Sequence, residues 1–285
     1  MTPARDRCIV CGSGKREVVF HEFGVDILEC GECGHVYSSW PGGQDYDGYF
    51  ATVPAESEVE PFWNEQHARM YGDFRRRFLD RRQGRLLDVG CGLGYFVKRA
   101  ADVPGWEVYG YEISPQAVSF ARETLGLANV FCGRVESSDF APGSFDVITL
   151  WDVIEHIPDP DPLLSYLRTL LAKDGMLCMH TPNAVIQIPK AKLKRRLLGM
   201  KPDGHYLEAR DHVNIYKVST LRRVLTRNGF GRVRYIHLSP IEGVAGSHAL
   251  SSRVAKRAWF MVAVVLFHAS LGRINLDNLF VVAQP

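Results

Sequence analysis

The stretch RLLDVGCGLGYFVKRAADVPGWEVYGYEISPQAV (85–118) constrains the fold more than any other part of this 285-residue chain. An apolar strand, LLDV, runs directly into GCGLG at residues 90–94, and a helical segment and a second strand ending at Glu112 follow. Glycines at a strand-to-helix turn let the backbone approach a ligand closely. A carboxylate at the end of the next strand can accept both hydroxyls of a ribose. The stretch therefore predicts an α/β sheet that binds a ribose-containing ligand.

A nicotinamide site and a simple tight turn are the alternatives for this loop. The spacing is G-x-G-x-G, whereas dinucleotide sites carry G-x-G-x-x-G. Asp88 also stands two residues before the first glycine. An acid at that point suits a ligand with a cationic ammonium and sulfonium better than one with a pyrophosphate.

With these residues the chain resembles the class I S-adenosylmethionine-dependent methyltransferases over about residues 60 to 285. LLDVGCGLGYF, YGYEIS, FDVITLWDVIEHIPDP and LLAKDGMLCMHTPN match motifs of that family, in order. The resemblance implies S-adenosyl-L-methionine as cofactor. It also implies a doubly wound, mostly parallel seven-stranded Rossmann-like sheet with an antiparallel last strand. Helices are predicted at 62–83, 94–102, 115–125, 160–173 and 217–228.

The resemblance further implies which residues hold the cofactor. The acid and glycines of the first motif would line its methionine part, Glu112 would hold the ribose, and Ile113 would flank the adenine. Arg134 stands where many relatives have an acid, so adenine recognition there is expected to use Val135 or Glu136. The predicted cofactor-binding set is Asp88, Gly90, Cys91, Gly92, Gly94, Glu112, Ile113, Val135, Trp151 and Asp152.

Two Cys-x-x-Cys pairs near the N terminus predict a metal site. Their spacing, C-x2-C-x18-C-x2-C, suits a zinc ion held by four thiolates, and the residues between them alternate like a hairpin. A disulfide pair and chance thiols are the alternatives. The predicted zinc ligands are Cys8, Cys11, Cys30 and Cys33. The other three thiols, Cys91, Cys132 and Cys178, are expected to be small buried residues.

Composition and motif order together predict the domain organisation. Residues 1–42 are expected to form a zinc ribbon, 43–84 an aromatic linker and N-terminal helix, and 85–285 the methyltransferase domain. Helical lid inserts are predicted at 184–216 and 243–275. Hydrophobic residues make up 46% of the chain and charged residues 23%, as in ordinary globular proteins.

The N-terminal sequence, the longest apolar run and the net charge bear on the location and partners of the protein. The N terminus lacks the apolar core of a secretory signal, and the longest apolar run, AWFMVAVVLF, is about half of what a bilayer span needs. A cytoplasmic protein without a membrane span is therefore expected, with its thiols reduced. The net charge of +2 does not by itself indicate a polyanionic partner.

Two histidines are candidate catalytic bases. His156 follows the fourth strand, together with Asp152 and Glu155. These three side chains could fix the loop, supply a base, or bind a magnesium-like ion as in the quinone O-methyltransferases that this stretch resembles. His212, in EARDHVNIY, is the rival base, and a structural role for it is an equal alternative.

Aromatic residues between the two predicted domains are candidates for acceptor binding. Tyr46, Tyr49 and Phe50, in YDGYF, could close over the cofactor as a lid or pack in a domain interface. His67, on the following helix, is a further candidate for the same pocket.

The two inserts differ in chemistry. Residues 184–202 hold six basic residues and no acid, whereas 253–273 hold a ten-residue apolar run with basic flanks. A solvated basic helix, core packing, a dimer interface and peripheral membrane contact are alternatives. A basic and an apolar segment together favour an acceptor that is lipophilic or phosphate-bearing, bound by a monomer or a homodimer.

An RNA base methyltransferase that uses the zinc ribbon to bind RNA is the competing function. The ribbon is not basic overall, and WDVIEHIP occupies the place where base-methylating relatives carry Asn-Pro-Pro-aromatic. An apolar insert also suits a polyanion channel poorly. The sequence therefore favours a small-molecule acceptor, with O-methylation preferred, in bacterial natural-product, glycan or lipid biosynthesis, and no nucleic-acid partner.

Overall fold

The computed structural model of the chain describes residues 5–41, 61–201, 206–241 and 250–285. The strands are β1 (Arg16–Glu22), β2 (Val25–Cys30), β3 (Val36–Ser38), β4 (Gly84–Val89), β5 (Trp106–Glu112), β6 (Val130–Cys132), β7 (Phe145–Trp151), β8 (Leu171–Thr181), β9 (Asn214–Ile215), β10 (Arg232–Ile236) and β11 (Leu279–Gln284). The helices are α1 (Ala68–Phe78), α2 (Tyr95–Ala101), α3 (Pro115–Glu123), α4 (Asp161–Leu170), α5 (Ala184–Leu198), α6 (Val218–Arg227) and α7 (Leu250–Ala269). Short helical turns lie at Pro61–Gln66, Val135–Ser137 and Ile154–His156.

Seven strands form one large sheet in the order β10-β11-β8-β7-β4-β5-β6. Strands β8, β7, β4, β5 and β6 are parallel, and β11 lies antiparallel between β10 and β8. This order confirms the doubly wound Rossmann-like sheet and its antiparallel last strand. The strand order reverses next to β4, and open α/β sheets bind ligands at the carboxyl ends of the strands around such a point.

The central strands are continuous apolar runs because helices cover both faces of the sheet. Phe145 and Leu164 lie in the layer on one face, and Phe74 and Phe96 in the layer on the other. All five predicted helices are longer than the observed ones, and two differ most. The segment predicted as 62–83 divides into a helical turn and α1, and α4 ends at Leu170 because Leu171 already pairs with Phe145 at the start of β8.

The thiols outside the predicted zinc site differ in burial. Cys91 and Cys178 are buried, as expected, but Cys132 is exposed. The prediction of burial is wrong for Cys132 because it ends β6, the edge strand of the large sheet.

A second, four-stranded sheet has the order β1-β2-β3-β9. Strands β1 and β2 form the hairpin that the alternating pattern predicts, with Glu22 opposite Val25. Strand β9 comes from the segment after β8 and pairs antiparallel with β3, with Tyr37 opposite Asn214. The N-terminal module therefore shares a sheet with a segment from the second half of the chain.

The two inserts are helical. Ile188 of α5 packs on the small sheet, together with Ile27 and Val36. Helix α7 buries Ala263 but leaves Trp259 and Val262 about half exposed. Among the described residues, no helix combines the length and the apolar character needed to cross a bilayer.

Candidate active site

The glycine loop between β4 and α2 is tied to the strand beside it. Gly90 N donates to Tyr111 O (2.8 Å), and Gly92 N donates to the Glu112 carboxylate (2.9 Å). The backbone is left-handed at all three loop glycines (φ 70°, 51° and 84°), a conformation that other residues rarely adopt. A Cβ at Gly90 would also lie 2.6 Å from a methyl carbon of Val153. The loop therefore requires glycine for both its conformation and its packing.

Two buried carboxyl groups flank this loop. Asp88 accepts a hydrogen bond from Thr149 Oγ1 (2.6 Å), and Glu112 accepts from the backbone N–H groups of Gly92 and Ser114, both at 2.9 Å. Burial raises the pKa of Asp88 to about 8, with a smaller contribution from the Glu112 charge that the bond from Thr149 opposes. Burial also raises the pKa of Glu112, although hydrogen bonds from the backbone of Ser114, Gly92 and Ile113 oppose the rise.

These carboxyl groups fit a cationic, ribose-containing ligand. Within the described residues, no lysine, arginine or histidine forms an ion pair with Asp88 or Glu112. A ligand ammonium and sulfonium would supply the positive charge that favours the ionised carboxylates. Each Glu112 oxygen also keeps acceptor capacity beyond its backbone bond, as binding of ribose hydroxyls requires.

The other residues of the predicted cofactor set lie around the same strand ends. Trp151, the last residue of β7, packs with Tyr71, Phe74 and Phe96 at ring-centroid distances of 5.6, 5.2 and 5.1 Å. Its indole Nε1 is buried and donates to no acceptor in the described part of the chain. Cys91 is buried in the same layer. The structure thus brings these residues to the loop, and their contacts with cofactor stay predictions.

The predicted adenine-binding residues lie where β5 and β6 end. Ile113 is half-buried and Val135 is buried, whereas Arg134 and Glu136 are exposed. Gly133 N donates to Glu112 O (2.8 Å), which holds the two strand ends together. Ile113 and Val135 are therefore placed to flank a flat ring, and their role stays a prediction.

The two candidate bases lie side by side. The His156 and His212 rings are 4.8 Å apart at 64°, although 55 residues separate them in the chain. His156 Nδ1 lies 3.1 Å from the carbonyl oxygen of Asp211, which fixes the proton on Nδ1 and leaves the lone pair on Nε2. Burial lowers the pKa of both imidazoles to about 4, and the neighbouring His212 adds to the effect at His156. Both rings are thus neutral at physiological pH.

Glu155 connects this loop to the end of strand β8. Thr181 Oγ1 donates to Glu155 Oε2 (2.8 Å), and the side chain is 1% exposed. Burial, and then the nearby Asp152 charge, raise the pKa of Glu155 above its usual value. Ligand atoms of Glu155, His156 and His212 lie within 4.8 Å of one another. Loop fixing, a base and a metal site all remain compatible with this geometry.

A buried contact that the sequence analysis missed holds Asp152. His180 Nδ1 lies 2.8 Å from Asp152 Oδ1, and Asn278 lies 3.1 Å from His180 Nε2. Burial opposes ionisation of Asp152, but the interactions with His180 outweigh it, and the pKa of Asp152 is lowered. Asp152 also has a left-handed backbone (φ 53°). A histidine in the apolar run of β8 was the only signal for this contact.

The predicted acceptor-binding residues divide into two groups. Tyr46, Tyr49 and Phe50 lie outside the described residues. His67 is 1% exposed, its ring lies 5.6 Å from that of Tyr71, and the Tyr71 ring in turn lies 5.6 Å from Trp151. The structure therefore places His67 at the cofactor side of α1, and its acceptor role stays a prediction.

The four predicted zinc ligands converge at one end of the small sheet. The sulfur atoms of Cys8 and Cys33 are 3.6 Å apart, those of Cys11 and Cys30 are 3.5 Å apart, and all four lie within 4.8 Å of one another. A tetrahedral site with Zn–S bonds of ~2.3 Å requires sulfur separations of ~3.8 Å. In each pair, the N–H of the glycine after the second cysteine donates to the carbonyl of the first, at 2.8 and 2.9 Å. The donor set and its spacing fit zinc.

Comparison with known proteins agrees with this geometry. Residues 63–234, more than half of the chain, match the family model described as "Methyltransferase domain". The chain belongs to this methyltransferase family. With the strand order and the glycine loop, this makes it a class I S-adenosylmethionine-dependent methyltransferase.

Relatives and solved structures agree with the family. A ubiquinone biosynthesis O-methyltransferase of Neisseria meningitidis serogroup C (strain 053442) is 30% identical over 168 residues, which are 57% of this methyltransferase and 65% of that relative. The matched region thus spans slightly less than two thirds of that relative's length. A protein of the same description from Idiomarina loihiensis is 29% identical, covering 70% of this chain and 78% of the other. A SAM-dependent methyltransferase from Archaeoglobus fulgidus has the same fold, with a TM-score of 0.51, 19% identity and coverage of 79% and 97%.

Proposed function

We propose that this methyltransferase transfers a methyl group from S-adenosylmethionine to an oxygen atom of a small, partly apolar molecule in bacterial biosynthesis. The observation that carries the proposal is the pair of neutral imidazoles, His156 and His212, beside Asp152 at the carboxyl ends of β7 and β8. A hydroxyl acceptor must lose a proton, and a neutral imidazole can take it. The relatives are named as O-methyltransferases, which supports transfer to oxygen.

The chain's own residues align the acceptor, exclude water and receive its proton. The bound cofactor supplies an electrophilic methyl group on sulfur. His156 Nε2 carries the free lone pair because Nδ1 donates to Asp211 O. That nitrogen would take the hydroxyl proton while the acceptor oxygen displaces the thioether sulfur from the methyl carbon, the sulfur keeping the electron pair of the broken S–C bond. His212 is the alternative base.

Both imidazoles are expected to stay neutral between pH 5 and pH 8. Their pKa values in the folded protein are lowered by burial to about 4, from an unfolded value of about 6.5. The unfolded chain therefore binds more protons in this window. The contribution of the two neutral imidazoles to the free energy of unfolding is complete above about pH 6.5 and is lost as the pH falls toward 4. NMR titration of the imidazole Cε1–H signals, assigned with His156→Gln and His212→Gln, measures this. A transition near pH 6.5 for either ring would contradict the proposed environment.

A cavity lined by basic and apolar residues suggests the acceptor class. It has a volume of about 300 Å³ and lies between α1, the loop after β10, and α7. Three basic residues line it alongside apolar ones, and burial, followed by repulsion from Lys190, lowers the pKa of Lys256. The lining residues are Arg69, Ser239, Pro240, Ile241, Lys256, Arg257, Phe260 and Met261. We propose that this cavity receives the apolar arm and an anionic group of the acceptor.

Replacing Phe260 with aspartate is expected to weaken acceptor binding without changing the oligomeric state. Each CH₂ group buried contributes ~0.8 kcal/mol, or about fourfold in affinity, so the loss should grow with the length of the acceptor's alkyl chain. The assay uses phenols with alkyl chains of increasing length, with and without a carboxylate, and mass spectrometry detects the gain of one methylene.

Val262→Asp is the matched control because Val262 lies on the exposed side of the same helix. Light scattering on both variants separates the cavity from a dimer interface. If Phe260→Asp leaves the chain-length dependence unchanged, or if it dissociates a dimer with activity per chain intact, the acceptor assignment is overturned.

We also propose that the four N-terminal thiolates hold one structural zinc ion, for which their spacing and donor type provide the support. RNA remains the weaker candidate acceptor. The described basic residues of the module pair with acids or bind backbone carbonyls, as Lys15 does with Glu32 and Arg16 with Asp6. Such pairing leaves the module without the basic surface that phosphate binding requires.

A further inference from the structure

The N-terminal module contacts both loops that carry the candidate bases. One loop follows β7 and includes His156, and the other precedes β9 and includes His212. Strand β3 pairs with β9, and Ser38 N donates to Val213 O (3.0 Å). Ser38 Oγ donates to Ala209 O in the same segment. The second loop is thus bound along its length to the module.

Asn214 is the junction between the module and the two loops. It is fully buried, at 0% exposure, and its side-chain amide donates from Nδ2 to Ile157 O (2.6 Å). Its Oδ1 accepts from His35 Nε2 (3.2 Å). One side chain therefore joins the module, the residue after His156, and the segment that carries His212.

Arg5 forms a parallel link between the same three parts. Its guanidinium donates to Val213 O (2.6 Å) and Asn214 Oδ1 (3.4 Å) in one loop. It also donates to Pro158 O in the other loop. Because of these contacts, the distance between the two loops depends on the position of the module.

The predicted zinc ligands fix the residue that contacts Asn214. His35 follows Cys33 by two residues, and its carbonyl accepts from Cys30 N (2.8 Å), which closes the turn of the second cysteine pair. Its ring also lies 5.2 Å from that of Tyr216 and stacks on Tyr37 at 5.9 Å. His35 is itself 0% exposed, so little room remains for an alternative rotamer.

We propose that His35, held by the zinc-bound turn, is a positioning residue that sets the geometry of the His156 and His212 loops through Asn214. The inference rests on the proposed function for its catalytic meaning, but the link itself holds whichever imidazole takes the proton. The zinc module is then a part of the active-site framework. Loss of the metal would reach the catalytic loops without any contact between zinc and substrate.

Hydrogen exchange on the full-length protein tests the link without a known acceptor. Loss of a buried hydrogen bond lowers the free energy of local opening, and amides exchange faster as that free energy falls. In His35→Ala, we expect amides in residues 152–158 and 209–216 to exchange about tenfold faster. Zinc content by metal analysis, and the affinity for S-adenosylhomocysteine by calorimetry, are expected to stay unchanged.

Three further variants make the test specific. His35→Gln retains a side-chain N–H donor and should restore slow exchange. Asn214→Ala removes the junction from the other side and should reproduce the effect of His35→Ala. His21→Ala is the matched control because His21 belongs to the same module but forms an exposed contact with Asp26.

The proposal is overturned if neither His35→Ala nor Asn214→Ala changes exchange in the two loops, or if His21→Ala raises it equally. Exchange that rises throughout residues 8–38 with loss of zinc would also overturn it, because His35 would then only stabilise the module. These outcomes are separate from the proposed methyl transfer. Active variants of both His156 and His212 would remove the base assignment and leave the link intact.

Discussion

Replacing Glu112 with alanine is expected to weaken binding of S-adenosylmethionine and of its demethylated product by about 100-fold. Hydrogen bonds to a charged group contribute about 1.5–3 kcal/mol each, so two ribose hydroxyls account for ~3 kcal/mol. The carboxylate also accepts from Gly92 N and Ser114 N, so its removal leaves two backbone donors unpaired, one in the glycine loop and one just after β5. Calorimetry on the purified protein measures the change.

Glu107→Ala is the matched control for this experiment. Glu107 lies on the same strand β5 but is exposed and pairs with Arg85 on the protein surface. Gly92→Val should reproduce the loss of binding, because the backbone is left-handed at that position (φ 51°). Unchanged affinity in both Glu112→Ala and Gly92→Val would remove the cofactor assignment.

The fold was predictable because its determinants are local. The run from β4 through the glycine loop to Glu112 specifies one strand–helix–strand unit, and the later motifs repeat that pattern in order. Continuous apolar strands between amphipathic helices leave few alternatives to a parallel sheet covered on both faces. The two cysteine pairs predicted a metal site in the same way, since the spacing within each pair suits a tight turn.

The candidate site was only partly predictable because its contacts join distant segments. His156 and His212 each stood out as a possible base, but no local pattern indicates that their rings lie 4.8 Å apart. Asn214 and His35 are 179 residues apart in sequence. Neither residue belongs to a local sequence pattern that would predict its contact. Contacts of this kind depend on which segment completes the small sheet, and β9 has only two residues.

The packing of the basic insert, residues 184–202, also depends on contacts with a distant segment. A solvated basic helix was one interpretation of its composition, and α5 exposes Lys190, Lys192, Arg195 and Arg196 but Lys194 only partly. The Ala184, Ile188 and Ala191 side chains nevertheless pack on the small sheet, and Arg195 lies 4.6 Å from the Phe20 ring centroid. The sequence of α5 alone therefore does not indicate that its apolar side chains pack on a surface made of β1, β2 and β3.

Removing the second cysteine pair, in the double variant Cys30→Ser with Cys33→Ser, is expected to abolish zinc binding and unfold the N-terminal module. Binding of a structural zinc by four thiolates contributes about 10–16 kcal/mol in small peptides, which is comparable to the whole stability of an ordinary domain. Metal analysis should fall from one zinc per chain to none. Amides in residues 5–38 should lose their protection from hydrogen exchange, while the strands of the large sheet keep theirs.

The consequence of zinc loss should extend beyond the module, into residues 206–216. Glu22 accepts from Leu207 N (3.1 Å) and Ala209 N (3.3 Å), and among the described strands of the small sheet β9 pairs only with β3. These backbone groups lose their partners when the module unfolds, so this segment should exchange faster as well. Cys132→Ser is the matched control, since that thiol is exposed and lies on the large sheet. Disulfides among the four N-terminal cysteines in the native protein, detected by thiol titration, would contradict the zinc assignment. Protection retained in residues 206–216 after zinc loss would show that this segment is ordered by the large sheet alone.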